Sequence, residues 1–292
     1  MSKVSVVIPV YSQWHLLKRN IDALLKFDRD NIDEIIVVND RSPDENPHEF
    51  DDTVVKIITN EKNLGYAGTV NNGLKIARNE IIVLLDSDAY PINGFIPRLL
   101  EMFNEQPNIG CIGFGTVDDY GNDTGNYQYE PSVWGWIAGQ MLEAKFGYLR
   151  FWRNKNIIPY SCAVSFTKQC LIDMDYLDAE NFAVLDSDID ISMRIHRSKW
   201  KLLFTKEIII SHKGGNSYKI NHKRVLLFYR SRWALLRKNG MVMLPKLAKL
   251  AFKLRLMGEQ VVFKLLAKKN ADKYADKITG REILLKELHT YK

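Results

Sequence analysis

Two aspartates one residue apart, Asp86 and Asp88, directly follow the apolar residues 81–85. Carboxylates with this spacing at the end of a buried strand can hold a hard divalent cation, which neutralises the oxygens of a diphosphate. An acidic turn in solvent has the same composition, so the pair alone does not decide between the two. Its place after an apolar run favours the metal site, because ligands of strand–helix sheets bind beyond the carboxyl ends of the strands.

Further acidic side chains occur at two other points of the chain. Asp40 follows the apolar residues 34–38, and its carboxylate could accept hydrogen bonds from a nucleobase or a ribose, although an Asx-type turn suits the same residues. Asp186, Asp188 and Asp190 stand at the start of a predicted helix. They either complement the helix dipole or include a general base that deprotonates an acceptor hydroxyl.

A histidine and a glycine-rich segment complete the candidate chemistry. His212 precedes two glycines and a group of cations, which makes it a candidate ligand, although a lone histidine after a strand is more often structural. The cations are Lys213, Lys219, Lys223, Arg224 and Arg230. The glycines of residues 63–73 allow close approach of the backbone to an anion, but the segment matches neither the Walker pattern nor GxGxxG.

Apolar periodicity predicts the elements that position these residues. Strand-like runs alternate with helical patterns through the first half of the chain, which predicts a parallel, doubly wound sheet. The predicted strands cover 4–10, 34–38, 54–58, 80–85, 109–114 and 161–166, and the predicted helices cover 16–27, 68–78, 95–104 and 186–196. In this arrangement Tyr11, Asp40 and the pair Asp86 and Asp88 all lie beyond the carboxyl ends of strands.

The second half of the chain contains an aromatic segment and a basic one. Residues 134–152, which begin with Trp134, form either an acceptor platform or a packing cluster, and packing is the favoured interpretation. Residues 241–292 hold twelve Lys or Arg and five Asp or Glu, so they carry the whole excess of the net charge of +6. Apolar residues and lysines alternate at helical spacing over 244–268. This pattern predicts a basic amphipathic helix that lies at an anionic membrane surface or packs on the catalytic domain, and the scarcity of aromatic residues disfavours nucleic acid.

Length and composition set the class of protein. A chain of 292 residues with 46% apolar and 26% charged residues is typical of a globular protein with one large α/β domain. Three cysteines without a CxxC pair predict reduced thiols in a cytoplasmic setting. The N-terminal residues lack the pattern of a signal peptide, and no run of about 18 apolar residues predicts a spanning helix.

Taken in order, these motifs resemble the inverting family 2 glycosyltransferases of the GT-A fold, including bacterial rhamnosyltransferases. The resemblance covers roughly residues 2–240 and rests on residues 4–11, 37–42, 63–73, 84–88 and 188–194, together with His212 and Ser217. It implies a Rossmann-like, mostly parallel central sheet with flanking helices, followed by a C-terminal helical segment. It also implies a nucleotide-sugar-binding half over 1–115, an acceptor and catalytic-base half over 116–240, and a basic helical tail over 241–292.

The resemblance implies a role for each matching residue. Asp88 and His212 would bind Mn²⁺ or Mg²⁺, and Asp188 would be the catalytic base, with Asp186 or Asp190 as its alternative. Contacts to a UDP-, dTDP- or GDP-linked donor would come from Pro9, Tyr11, Asp40, Asn63, Asp86 and Ser87. Contacts to the diphosphate or the acceptor would come from Lys213, Arg224, Arg230, Asp186, Asp190 and Trp134.

Three departures from the family pattern qualify this prediction. Asn39 replaces the first of two acids, Ser187 replaces the acid that precedes the base, and Tyr229 replaces the glutamine of the Gln-x-x-Arg-Trp motif of processive synthases. We therefore expect a non-processive enzyme that transfers one sugar to a glycan or lipid-linked glycan, in the cytoplasm or at the cytoplasmic face of the membrane. A sugar-nucleotide nucleotidyltransferase and a non-catalytic nucleotide-sugar-binding module are the alternatives.

Overall fold

The computed structural model describes residues 3–50, 52–139, 142, 156–212 and 221–291. The chain divides into two compact units. The first comprises Met1–Glu130 and Asn156–Asn216, and the second comprises Pro131–Lys155 and Ser217–Lys292. This division differs from the boundary predicted at residue 240, because the helix that ends at Lys238 packs with the helices that follow it.

The first unit contains ten strands and five α-helices among its described residues. The strands are β1 (Val4–Val10), β2 (Ile32–Asn39), β3 (Val55–Thr59), β4 (Ile81–Leu85), β5 (Tyr90–Pro91), β6 (Ile109–Val117), β7 (Tyr127–Tyr129), β8 (Ile157–Pro159), β9 (Ala163–Thr167) and β10 (Lys201–Ser211). The helices are α1 (Trp14–Asp28), α2 (Gly65–Ile76), α3 (Ile96–Glu105), α5 (Lys168–Asp173) and α6 (Ser187–His196).

Eight strands form one sheet in the order β3-β2-β1-β4-β9-β6-β10-β5, and β7 pairs with β8 separately. The pairs from β3 through β4 and the pair β6–β10 are parallel, which confirms the predicted mostly parallel sheet. β9 runs antiparallel between β4 and β6, and β5 runs antiparallel to β10. The doubly wound parallel pattern is therefore interrupted at two strands whose direction strand–helix alternation does not predict.

Burial explains why these segments form strands and helices. All seven residues of β1 are buried, as expected for a strand that is covered by helices on both faces of the sheet. α1 buries Leu17, Ile21 and Leu24 at helical spacing against the same core as β1. α2 packs closely on the other face, where a Cβ at Gly73 would lie 2.5 Å from Cγ1 of Val7.

A network around the buried Glu34 of β2 joins β1, β3 and the segment before β4. Glu34 is only 2% exposed and accepts hydrogen bonds from the Ser5 hydroxyl at 2.8 Å and from the backbone N–H of Arg78 at 2.8 Å. The Lys56 ammonium lies 3.2 Å from the same carboxylate. Burial alone would raise the pKa of Glu34, but these hydrogen bonds and the charge of Arg78 outweigh it, so the pKa lies below its ordinary value.

Four α-helices occur among the described residues of the second unit. They are α4 (Val133–Ala138), α7 (His222–Lys238), α8 (Pro245–Ala267) and α9 (Ala271–Glu287). Their core is aromatic: Trp136 is 1% exposed, its ring lies 4.1 Å from that of Phe252 and 4.7 Å from that of Trp233. The burial of Trp136 therefore agrees with the interpretation of the aromatic segment as a packing cluster.

Two further observations concern the cysteines and the helix lengths. Cys111, Cys162 and Cys170 are buried free thiols in the first unit. Across the described ranges, each helix is too short or too polar to traverse a lipid bilayer.

Candidate active site

The turn that follows β4 carries the paired aspartates. The backbone N–H of Asp86 donates to the carbonyl of Cys162 at 3.0 Å, and the carbonyl of Asp86 accepts from Ala89 N–H at 3.0 Å and from the Asn20 amide at 2.9 Å. Contacts from the residue before β9 and from α1 therefore hold this turn in place. Asp86 and Asp88 thus project from a fixed backbone at the carboxyl end of a buried strand.

Strand pairing brings His212 to the same place. β5 begins two residues after Asp88, and in its antiparallel pairing with β10 Tyr90 lies opposite Ser211, the residue before His212. The His212 backbone N–H donates to the carbonyl of Val117 at 2.8 Å. As a result, Nε2 of His212 lies 3.4 Å from Oδ1 of Asp88, and one ligand atom each of Asp86, Asp88 and His212 lie within 4.8 Å of one another.

Charge and burial shift the pKa values of two groups of this cluster, Asp86 and His212. Burial and the charge of Asp88 raise the pKa of Asp86 to about 6, against the hydrogen bond from Tyr66 and the charge of His212. Burial opposes the charged form of His212, but the hydrogen bond and charge of Asp88, with the charge of Asp86, raise its pKa above the ordinary value. Two carboxylates and an imidazole held this closely are a donor set that fits a divalent cation such as Mn²⁺.

Two residues that the sequence did not single out orient this turn. The Tyr66 hydroxyl donates to Oδ1 of Asp86 at 2.8 Å, and the Ser87 hydroxyl donates to Oε1 of Gln13 at 2.8 Å. Tyr66 lies within residues 63–73, of which only the glycines and Asn63 are predicted to act on a ligand. Nothing in the spacing of Gln13 indicates its contact, because it joins positions that are 74 residues apart.

Asp40 is engaged within the protein. Its side chain is 6% exposed, and its carboxylate accepts hydrogen bonds from the N–H groups of Leu64 at 2.7 Å and Gly65 at 3.0 Å and from the Asn60 amide at 3.0 Å. The amide of Asn63 donates to the Asp40 carbonyl at 3.3 Å. Asp40 thus satisfies backbone donors at the start of α2, where the helix dipole also favours a negative charge.

The segments after β1 and β2 are joined by hydrogen bonds. Ser12, in the left-handed region with φ of 56°, donates its N–H to the Ser42 hydroxyl at 3.0 Å, and Ser42 N–H donates to Oδ1 of Asn39 at 2.9 Å. Asn39 therefore acts through an Asx-like turn, which is one of the two interpretations of this motif. Tyr11 is 42% exposed at the strand end, whereas Pro9 is buried within β1 opposite Val38.

The three aspartates around α6 have different environments. Asp190 is fully buried and accepts a hydrogen bond at 2.8 Å from Nε of Arg194, whose guanidinium also donates to the carbonyl of Tyr176 at 2.8 Å. Asp186 is 6% exposed and occupies the N-cap position of α6 with φ of 67°. Asp188 is half-buried and lines a small cavity of the first unit.

The cavity relates Asp188 to the paired aspartates. Its lining includes Leu84 at the end of β4 and Ser161 before β9. Burial is the main reason that the pKa of the Cys162 thiol lies well above its ordinary value, and the charges of Asp86, Asp88 and Asp188 raise it further. Asp188 thus lies near the same end of the sheet as the Asp86 turn.

The remaining candidates are not brought to this cluster by contacts within the first unit. Arg224, Arg230 and Trp134 belong to the second unit. There the Arg224 N–H donates to Oδ1 of Asn221 at 3.0 Å, Nε of Arg230 donates to Glu287 at 3.1 Å, and Trp134 is 69% exposed. Lys213 and Ser217 lie outside the described residues, as do residues 140, 141 and 143–152 of the aromatic segment.

Known sequences resemble the N-terminal part of this chain. The profile of glycosyl transferase family 2 matches residues 5–177, which is more than half of the chain. The UDP-Glc:alpha-D-GlcNAc-diphosphoundecaprenol beta-1,3-glucosyltransferase WfgD of Escherichia coli is 38% identical over 88 residues, covering 29% of this chain and 34% of that protein. The GalNAc(5)-diNAcBac-PP-undecaprenol beta-1,3-glucosyltransferase of Campylobacter jejuni is 31% identical over 111 residues, covering 36% of each protein. The chain thus spans about a third of the length of these two relatives.

A solved structure shares the fold. The mannosyltransferase PcManGT of Pyrobaculum calidifontis, in complex with GDP-Man and Mn²⁺, superposes with a TM-score of 0.61 at 15% identity, over 97% of this chain and 85% of that one. This likeness confirms the predicted GT-A architecture of a mostly parallel sheet with flanking helices and C-terminal helices.

Proposed function

The chain belongs to glycosyl transferase family 2, and from that premise we propose that it is a metal-dependent, inverting and non-processive glycosyltransferase. It moves one sugar from a nucleotide-diphosphate donor to a hydroxyl group of a glycan or lipid-linked glycan. The observation that carries this proposal is the convergence of Asp86, Asp88 and His212 at the carboxyl ends of β4 and β10.

These three side chains are suited to hold a divalent cation, Mn²⁺ or Mg²⁺. Their donor atoms lie within 4.8 Å of one another, and two carboxylates close together in a partly buried turn favour a cation beside them. When bound, such an ion supplies positive charge that stabilises the departing nucleoside diphosphate. The Mn²⁺ in the complex of PcManGT supports this part of the proposal.

We assign donor contacts to the residues around the same strand ends. Tyr11 is exposed after β1, and Ser87 and Asp86 lie in the turn after β4. Asp40 and Asn63 hold the start of α2, so they act on the donor partly by fixing that backbone. Pro9 contributes as a rigid residue next to the end of β1, and its ring is buried.

We assign the base to Asp188, with Asp186 and Asp190 as alternatives. Asp188 is half-buried beside a cavity, whereas Asp186 is 6% exposed and Asp190 is fully buried against Arg194. A base must reach a substrate hydroxyl, so the greater exposure of Asp188 supports its assignment. It takes the proton of the hydroxyl while that oxygen bonds to the anomeric carbon. The bond from this carbon to the diphosphate oxygen breaks on the opposite face, and the configuration inverts.

The relatives indicate the chemical class of the substrates. The names of the proteins from E. coli and C. jejuni specify acceptors linked to undecaprenol through a diphosphate, and the E. coli protein uses UDP-Glc. PcManGT is bound to GDP-Man. We therefore propose a UDP-, dTDP- or GDP-linked donor and a lipid-linked glycan acceptor, with the protein at the periphery of the cytoplasmic face of a membrane. Lys213, Arg224, Arg230 and Trp134 remain proposed contacts to diphosphate or acceptor.

A thermal-shift panel of UDP-, dTDP- and GDP-linked sugars, with and without Mn²⁺, identifies the donor. We expect one class of donor to raise the melting temperature, and more so with Mn²⁺. Asp188→Asn should keep this shift and lose at least about 100-fold in release of nucleoside diphosphate, measured with polyprenyl-diphosphate-linked N-acetylglucosamine as acceptor. Asp88→Asn should lose the Mn²⁺-dependent part of the shift.

Asp30→Asn serves as the matched control, because Asp30 is an exposed aspartate of the same unit, and it should behave as the wild type in both assays. Near-normal transfer by Asp188→Asn would move the role of base to Asp186 or Asp190. If neither Mn²⁺ nor Mg²⁺ changed the shift with any donor in the wild-type protein, metal dependence would be rejected.

A further inference from the structure

Helix α8 of the second unit leaves a row of large apolar side chains in solvent. Their exposed fractions lie between 47% and 60%, and their spacing of three or four residues places them along one side of the helix. This apolar stripe consists of Leu247, Leu250, Leu254, Met257, Val261 and Leu265. It runs for about five turns, which is far more apolar surface than single exposed side chains normally provide.

Packing within the second unit does not account for the stripe. α8 buries a different face, formed by Ala248, Phe252 and Leu256, in the core that it shares with α4, α7 and α9. Positions 252 and 256 lie about 140° to 180° around the helix from positions 254 and 261. The helix therefore has two apolar sides, and only one of them is covered by the described residues of its own unit.

Lysines border the exposed side. Lys246, Lys253 and Lys264 are spaced by seven and eleven residues, which places them on one line next to the apolar stripe. Lys246 and Lys253 make no ion pair with any described residue, whereas Lys264 lies 3.5 Å from Glu282. This lysine row gives the exposed side of α8 a positive edge.

The single acidic residue of α8 does not offset this charge. Glu259 lies on the covered side, where its carboxylate accepts hydrogen bonds from Arg255 and Arg281, each at 2.8 Å. The solvent-facing side of α8 therefore combines leucine, valine and methionine with lysine and carries no carboxylate.

We propose that the exposed side of α8 is a membrane-docking surface, with the apolar stripe inserted among the lipids and the lysine row on anionic headgroups. A helix that lies in the plane of a bilayer needs this combination of an apolar face and cations beside it, since the long lysine stems let the ammonium groups reach the headgroups. A second copy of this chain is a poorer occupant. Its own lysine row would meet like charges, whereas an anionic bilayer complements the positive edge.

This inference rests on one part of the proposed function, the place of the protein at the periphery of a membrane, and adds the surface that binds there. Binding to lipid needs neither donor, metal nor acceptor, so vesicle sedimentation can succeed or fail whatever the enzyme transfers. The proposal assigns membrane contact to residues 244–268 and specifies which side of α8 contacts the bilayer.

Sedimentation of the full chain with lipid vesicles tests the proposal. We expect binding to phosphatidylglycerol–phosphatidylcholine vesicles and much weaker binding to phosphatidylcholine alone. The triple variant Leu247→Gln, Leu254→Gln, Val261→Gln should lower the partition coefficient at least about tenfold. The double variant Lys246→Gln, Lys253→Gln should lower it about fivefold per lysine, and less at high salt.

Matched controls distinguish binding through this surface from non-specific effects of exposed apolar residues and of positive charge. The triple variant Ile57→Gln, Ile76→Gln, Ile172→Gln changes three exposed apolar residues of the first unit, and Lys26→Gln with Lys62→Gln changes two exposed lysines there. Both controls should bind as the wild type. Circular dichroism melting verifies that each variant is folded.

Three outcomes would overturn the proposal. One is the absence of wild-type binding to anionic vesicles, and another is unchanged binding of the α8 triple variant. The third is a wild-type dimer, seen by analytical ultracentrifugation without lipid, that the triple variant converts to a monomer while vesicle binding is absent. That outcome would assign the apolar stripe to a second copy of the chain.

Discussion

Replacing Asp40 with asparagine separates two roles of this residue, a contact to the donor and support of α2. The carboxylate accepts from the N–H groups of Leu64 and Gly65 and from the Asn60 amide, at 2.7 to 3.0 Å. Asparagine keeps the shape of the side chain and one acceptor oxygen. Its NH₂ group lies where Oδ2 of Asp40 accepted the N–H of Gly65. Two hydrogen-bond donors then face each other.

The magnitude follows from these contacts. A buried donor left without its acceptor costs about 1–3 kcal/mol, and loss of the negative charge at the start of α2 costs about 0.3–1 kcal/mol more. Oδ1 of Asn63 lies 3.2 Å from the Gly65 nitrogen and offsets part of this loss. We therefore expect Asp40→Asn to lower the free energy of unfolding of the first unit by about 2 kcal/mol.

Urea unfolding followed by circular dichroism measures the loss, and hydrogen exchange of the amides in 64–76 measures it locally at α2. Asp30→Asn, an exposed control, should change the free energy of unfolding by less than about 0.5 kcal/mol. If Asp40→Asn unfolded like the wild type and left exchange in α2 unchanged, the structural role would be refuted. If the variant were fully folded and bound nucleotide more weakly than the wild type, Asp40 would also contact the donor.

Three further predictions concern other residues of the first unit. Glu34→Gln should lower the free energy of unfolding by about 2–3 kcal/mol at pH 7. Because the folded-state pKa of Glu34 is lowered, this difference is fully present above the unfolded pKa and disappears as the pH falls through the folded value. Gly73→Ala should destabilise by about 1–3 kcal/mol, since its Cβ would lie 2.5 Å from Val7 Cγ1. Tyr66→Phe should weaken Mn²⁺ binding about tenfold in calorimetric titration, because Asp86 loses a hydrogen bond that orients it.

Each of these predictions has a control variant or a result that would contradict it. A difference between Glu34→Gln and wild type that stayed constant from pH 7 to pH 2 would contradict the lowered pKa. Gly258→Ala in α8, where a Cβ would meet nothing within 4 Å, should stabilise by up to about 1 kcal/mol. If both glycine variants changed stability alike, close packing at Gly73 would be the wrong explanation. Tyr120→Phe, at an 87% exposed position, should leave Mn²⁺ affinity unchanged.

Some strands of the first unit could be predicted because their buried residues form one continuous apolar run in the sequence. β1 and β4 are short apolar runs covered on both faces, so their composition alone indicates them. β5 is two residues long, which is below the length of any periodic pattern. The antiparallel direction of β9 was equally inaccessible, because periodicity reports which face of a strand is buried and not which way the strand runs.

For the candidate site, too, some residues could be predicted from the sequence, whereas the contacts that bring them together could not. The resemblance to a known family selected Asp86, Asp88 and His212, and the structure brings their ligand atoms together. The cause of that approach, the register between β5 and β10, links residues more than a hundred positions apart and leaves no local signal. The hydrogen bonds of Asp40 and Tyr66 were missed because a side chain's partner across the fold cannot be inferred from its sequence neighbours. The two compact units differ from the predicted boundary at residue 240 for a related reason, since the core of Trp136, Trp233 and Phe252 joins distant segments.

The insertion of β9 between β4 and β6 has a consequence for synthesis and folding of the chain. Both neighbours of β9 precede it in the sequence, β6 by more than forty residues, so an emerging chain has no partner for the inner edges of β4 and β6 until residue 167 has been made. Such edges are open to pairing with other chains, and closing long loops late is slow. We expect fragments that stop before β9 to aggregate. His212 emerges later still, so the cluster that defines the candidate site is completed only after the central sheet has closed.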